Sequence, residues 1–194
     1  MIVGLTGGIG CGKSTASQLF TKLGWLPLSA DAICHEIYAS HDEALYAALA
    51  VRWGDKVFQS NGLIDNRAVA NIVFNAQTEL TWLNQQLHPL IKARANKFIR
   101  ENRHKHIIFE IPLLFEAGWD SFTDIIITVW AEQKIVLKRL AARGLPAEAA
   151  TARMNRQATP DDKLAKADLG LINNGSVDNL FEQCKIINKK LNIK

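Results

Sequence analysis

The sequence predicts an α/β protein, a mainly parallel sheet flanked by helices that also carries a helical insert and a helical lid. Three features lead to this. Short apolar runs of strand length alternate with amphipathic stretches of helix length along the chain, the pattern of a parallel sheet covered on both faces. The first such run, Met1 to Thr6, passes directly into a glycine loop and a helix-periodic segment. Between the second and third runs, Ala32 to Asn102 is mostly helical in pattern and too long for a simple crossover.

Composition sets the outer bounds. The chain has 194 residues, 48% apolar and 22% charged, ordinary values for a globular protein with one sizeable core. No apolar run reaches the length of a membrane span; Ile125 to Ala131 is strand-length. The N-terminus enters a strand at once, without the basic region, apolar stretch and cleavage site of a leader, so a cytoplasmic protein is expected. The net charge of +4 suits an anionic small substrate and is too weak to argue for nucleic acid. Cys11, Cys34 and Cys184 show neither metal-ligand spacing nor a CxxC pair and read as reduced thiols.

The first strand is suited to burial on both faces. After it, Gly7-Gly8-Ile9-Gly10-Cys11-Gly12-Lys13-Ser14 matches G-x-x-x-x-G-K-[ST], the phosphate loop of P-loop proteins. Glycines let successive backbone N–H groups turn inward with no Cβ in the way. The following helix, with Leu19, Phe20 and Leu23 at helical spacing, points its positive dipole end at the same anion. Lys13 adds a full charge toward the terminal phosphates, and the Ser14 hydroxyl is placed to ligate Mg²⁺. The plainer alternative is a glycine-rich turn. Cys11 is expected to be a small filler there, although the helix N-terminus acts to lower its pKa.

The second strand is expected at Trp25 to Ser29, near a sheet edge because Pro27 cannot donate to a ladder. Asp31, just past it, is either a base or Mg²⁺-shell carboxylate at the carboxyl edge of the sheet, or the N-cap of a helix starting at Ala32. Within the insert, apolar residues recur at Ile33, Ile37, Leu45 and Leu49, then Val69, Ile72 and Val73, then Leu80, Leu83, Leu87, Ile91 and Ala95. Gly54, Asn61-Gly62 and His88-Pro89 are expected to punctuate it. Its basic residues, Arg67 and Arg94 among them, read mostly as a solvated face.

Ile107 to Ile111 reads as a third strand ended by Pro112. Glu110 interrupts it and is either exposed or part of a magnesium shell. Asp124 to Trp130 is a fourth strand and Glu132 to Ala142 a helix. Arg139, Arg143, Arg153 and Arg156 gather around Gly144-Leu145-Pro146, which suggests a mobile lid over a triphosphate. Leu169 to Ile172 is the last strand, Asn173-Asn174-Gly175 a turn, and Asn179 to Leu191 a closing helix, with Lys189, Lys190 and Lys194 as solvated charge.

Read together, these pieces resemble dephospho-CoA kinases. The likeness rests on Gly4 to Ser14, Ala30-Asp31, Gly62-Leu63-Ile64-Asp65, His88-Pro89-Leu90-Ile91 and Pro112-Leu113-Leu114-Phe115-Glu116. Arg139 to Arg143, Gln157, Ala167-Asp168 and Ile172-Asn173-Asn174-Gly175 extend it. The resemblance implies transfer of the ATP γ-phosphate, with Mg²⁺, to the ribose 3′-hydroxyl of dephospho-CoA. It also implies one kinase domain over 1–194, with a core at 1–31, 105–138 and 165–194, a substrate insert at about 32–104 and a lid at about 139–164. Gly8, Gly10, Cys11, Gly12, Lys13, Ser14, Thr15, Arg143 and Asn174 would bind ATP, Ser14 would hold the metal, and Lys13, Asp31 and Arg139 would be catalytic. The chain departs from the family pattern in having Ser29-Ala30-Asp31 in place of Asp-Ala-Asp, His35 in place of an arginine, and Asp65-Asn66 in place of Asp-Arg. Serine is a poor proton acceptor, which leaves Asp31 as the nearest carboxylate. The rival readings are another P-loop small-molecule kinase, for a nucleoside monophosphate or sugar acid, a nucleotide-controlled binding protein, or a nucleotide binder without catalysis.

Overall fold

The computed structural model describes residues 1–191, so Lys194 lies outside the described residues. Five strands form one sheet: β1 (Ile2–Gly7), β2 (Leu26–Ser29), β3 (Ile107–Glu110), β4 (Ile125–Trp130) and β5 (Leu169–Ile172). Their order is β2-β3-β1-β4-β5 and every pairing is parallel. Parallel strands need crossovers, and helices supply them. β2 occupies an edge, where Pro27 is tolerated.

Strand side chains alternate between the faces. Val3, Leu5, Ile108, Ile127, Val129 and Leu171 join one buried cluster with Leu19 and Phe20 of α1 (Lys13–Lys22) and Leu180, Cys184 and Ile187 of the last helix. On the opposite face, Phe109 packs its ring 6.0 Å from those of both Trp119 and Phe122. The sheet is therefore covered on both sides, as the continuous apolar runs predict.

The described chain divides into two compact units. One combines Met1–Ser29 with the chain from residue 103 onward; the other is Ala30–Asn102. The second contains α2 (Ala30–Ala39), α3 (Glu43–Trp53), α4 (Asn66–Asn75) and α5 (Gln77–Glu101). Ile37, Leu49 and Ala95 are fully enclosed in it, with Ile33, Leu45, Leu83, Leu87 and Ile91 nearly so. Asp42 caps α3 by accepting from Leu45 N, and Asp65 caps α4 by accepting from Arg67 N and Ala68 N.

Two expectations are corrected here. His88-Pro89 does not break the helix: α5 continues through Pro89 for 25 residues. An internal proline costs about 3 kcal/mol, but Leu83, Leu87, Ile91 and Ala95 bury a stripe at four-residue spacing on both sides of it. Asp31 is not an N-cap, because α2 begins at Ala30 and places Asp31 in its first turn.

The remaining helices belong to the sheet unit: α6 (Gln133–Ala142), α7 (Ala147–Met154), α8 (Pro160–Lys166) and α9 (Val177–Lys190). α9 starts earlier than its apolar spacing indicates, because Ser176 caps it by accepting from Asn179 N at 3.2 Å. Among the described residues no helix is long and apolar enough to cross a membrane.

Candidate nucleotide site

The site is built where β1 leaves the sheet. Gly7 is the last residue of β1, with φ 145°; a Cβ there would stand 2.4 Å from the Val129 carbonyl oxygen of β4. Only glycine lets the chain turn out of the sheet at this approach. Gly12 caps α1 in a left-handed conformation, φ 102°, and a Cβ would stand 2.1 Å from Asn173 Nδ2. Having no side chain, this cap leaves the first-turn N–H groups of α1 without a capping oxygen from it.

Within the loop, Cys11 N donates to Gly8 O at 3.2 Å and Ala16 N to Gly12 O at 3.0 Å. Lys13 Nζ curls back and donates to Gly7 O at 3.0 Å and Gly8 O at 3.2 Å. The lysine is thus held over the loop by carbonyls that a bound phosphate would outcompete for its charge. Cys11 is fully buried. Burial pushes its thiol pKa up, and the Lys13 ammonium offsets this only in part. The lowering expected from the helix N-terminus is overturned; Cys11 is packing.

Ser14 Oγ donates to Glu110 Oε1 at 3.0 Å. Glu110 ends β3 and is the register partner of Leu5 in β1 and of Ser29 in β2. A hydroxyl and a carboxylate oxygen so placed fit Mg²⁺, which takes few protein ligands beside substrate phosphate oxygens. Among the described residues no group of three or more His, Cys, Asp or Glu side chains forms a separate metal site.

Arg139 lies on α6. Its Nη2 donates to Asn173 O at 2.9 Å and Asn173 Oδ1 at 3.3 Å, and its buried Nη1 has no hydrogen-bond partner. A buried donor of this kind calls for an acceptor, and a phosphate oxygen supplies one. Asn173, nearly enclosed, also donates from Nδ2 to Cys11 O at 2.8 Å, so it joins the loop to the arginine. Sequence reasoning singled out its neighbour. Asn174 accepts from Glu132 N at 2.9 Å and donates to Glu132 Oε1 at 3.1 Å, fastening the start of α6. Only Asn173's place just past a strand end, beside the glycine loop in space, could have marked it.

Arg143 is exposed and caps the C-terminus of α6. Gly8 and Gly10 are buried in the loop, and Thr15 is half-buried in the first turn of α1. Asp31 is exposed in the helical unit. A cavity of about 480 Å³ opens beside Gly8 and Ile9, walled by Trp130, Val136, Met154 and Gln157. Trp130 Nε1 donates to Asp161 at 2.7 Å at its rim. Its size is that of a small-molecule pocket.

Comparison with known proteins gives a consistent picture. The family described as dephospho-CoA kinase (CoaE) matches residues 1–179. A dephospho-CoA kinase of Fusobacterium nucleatum is 33% identical over 184 residues, 94% of each chain. Among solved structures, TT1252 from Thermus thermophilus superposes with a TM-score of 0.85 at 30% identity, covering 98% of this chain and 97% of that one. Dephospho-CoA kinase from Campylobacter jejuni gives 0.72 at 28% identity, covering 98% and 96%.

Proposed function

The chain belongs to the dephospho-CoA kinase family, and we propose on that premise that it transfers the γ-phosphoryl group of ATP to the ribose 3′-hydroxyl of dephospho-CoA, giving coenzyme A. The family match over residues 1–179 carries the acceptor; the phosphate loop, complete in sequence with Lys13 folded back onto it, carries the phosphoryl donor. The protein works in the cytoplasm.

Phosphoryl transfer depends chiefly on positioning and on stabilising spread negative charge. The loop N–H groups of Gly8 and of Gly10 to Thr15 cradle the phosphates, Ile9 N being held by Gln157 Oε1, and Lys13 turns its ammonium from the loop carbonyls to the terminal phosphates. Ser14, with Glu110 behind it, would hold Mg²⁺, which would supply neutralising charge at the phosphate oxygens. Arg139 presents its buried Nη1 to the transferring group while Asn173 fixes the guanidinium plane. Arg143 and Asn174 complete the nucleotide contacts. The lid at about 139–164 moves in the part before Gln157, because Gln157 holds Ile9 N and Lys163 is fixed to Pro112 O and Glu116, and the insert at about 32–104 receives the acceptor. Asp31 accepts the hydroxyl proton; it follows Ser29, the end of β2, by two positions along the chain.

The test is ADP release on mixing the protein with MgATP and dephospho-CoA, with nucleoside monophosphates and sugar acids as control acceptors. Turnover is expected with dephospho-CoA alone; turnover only with a control, or ADP release independent of acceptor, refutes the reading. Repeating the assay on Asp31→Asn assigns the base. A tenfold or greater fall in kcat is expected, and an unchanged kcat removes Asp31 from the proton transfer.

A further inference from the structure

We propose that Lys163 is a positioning residue for the phosphate loop, acting through Glu116 and Gln157. The inference rests on the nucleotide site assigned above and goes beyond it.

Lys163 is on α8 and its side chain is 0% exposed. A lysine is almost never enclosed unless its charge is met. Here Nζ donates to Pro112 O at 2.7 Å and pairs with the Glu116 carboxylate, 2.9 Å from Oε1 and 3.2 Å from Oε2. Each partner leads onward. Pro112 O also accepts from Thr6 Oγ1 at 3.2 Å, and Thr6 is the residue before Gly7. Glu116 Oε1 also accepts from Ala158 N at 2.9 Å. The residue before Ala158 is Gln157, whose Oε1 accepts from Ile9 N, inside the loop, at 3.1 Å.

The chain of contacts therefore starts at Thr6, passes through Lys163, and ends at Ile9. Gly7 and Gly8, the flexible entry of the loop, lie between its two ends. Glycines give this stretch its freedom, and freedom must be lost when phosphate binds. Clamping both sides of it fixes the loop beforehand. A buried ion pair adds little stability over apolar side chains of similar size, so a purely structural role would leave nucleotide binding unmoved when the pair is replaced as a whole.

Lys163→Met alone would strand the Glu116 charge, so the informative variant is Lys163→Met with Glu116→Gln. Gln157→Ala, at a half-buried side chain, is the second. The readouts are the Kd of MgATP by calorimetric titration, the KM of each substrate, and the melting temperature without ligand. The double variant is expected to raise the MgATP Kd and the ATP KM about tenfold, with the acceptor KM within twofold of wild type. Gln157→Ala is expected to raise the Kd about fivefold. Adding it to the double variant should change little more, because both act on one contact. A Kd unchanged within twofold, or lowered, in Gln157→Ala or in a folded double variant overturns the proposal, as does full multiplicativity of the two effects. The titration needs no acceptor, so wild-type inactivity toward dephospho-CoA would refute the function and leave this result standing.

Discussion

Lys13 sits between two sets of partners. In the structure it donates to the carbonyls of Gly7 and Gly8; on a nucleotide its charge belongs to the terminal phosphates. Lys13→Ala removes only a half-buried side chain, so the fold should survive while kcat falls a hundredfold or more. Circular dichroism and the ADP-release assay check the two halves of that expectation. At this scale the sequence was legible where spacing defines a motif and blind where contacts are distant. Lys13 and Ser14 follow from eight consecutive residues. Asn173 holds Cys11 and Arg139 across the fold, and nothing in its neighbourhood separates it from Asn174. Lys163 reads as one more helix lysine until its burial is seen.

Among the elements, α5 shows packing prevailing over local preference. Proline inside a helix is unfavourable, yet the stripe through Leu83, Leu87, Ile91 and Ala95 is buried. The stripe, then, is what holds the helix. Leu87→Ala should lower the unfolding free energy by about 2–5 kcal/mol, whereas Pro89→Ala should not lower it at all; urea unfolding of both variants compares them. A second prediction concerns the end of α3. Arg52 and the Trp53 indole both hydrogen-bond the Glu79 carboxylate at the start of α5. The Arg52 bond first, then that of Trp53, holds its pKa at about 2 against an ordinary value of 4.5. A depressed carboxyl stabilises the fold above its unfolded pKa and loses that contribution as pH falls through the folded one. Glu79→Gln should therefore melt lower than wild type at pH 7. The gap should narrow from about pH 4.5 toward pH 2; a gap that is flat with pH would refute the assignment.

For the whole molecule, alternating strands and helices made the parallel sheet legible, because continuous apolar runs bounded by turns admit few other arrangements. The order β2-β3-β1-β4-β5 was not legible. It depends on which strand pairs with which across separations from 42 residues for Ile127 and Leu169 to 122 for Val3 and Ile125, and no local pattern encodes that. Two expectations belong at this scale. Saturating MgATP should stabilise the protein by about 2.7 kcal/mol at a hundred times Kd, seen as a rise in melting temperature that Lys13→Ala abolishes. The native protein should also resist alkylation at pH 7.5, since burial raises all three thiols, Cys34 to about 11 and Cys184 to about 12. Mass spectrometry after brief iodoacetamide treatment should show no adduct until denaturant is added, and then three.

The central place of β1 has a consequence for biosynthesis. Its neighbours are β3, beginning at Ile107, and β4, beginning at Ile125. A ribosome releases β1 before either partner exists, so this apolar segment waits unpaired while the whole helical insert is made. Until β4 has cleared the exit tunnel the middle of the sheet has no way to close, and a nascent chain stalled before that point is where chaperones would be needed most.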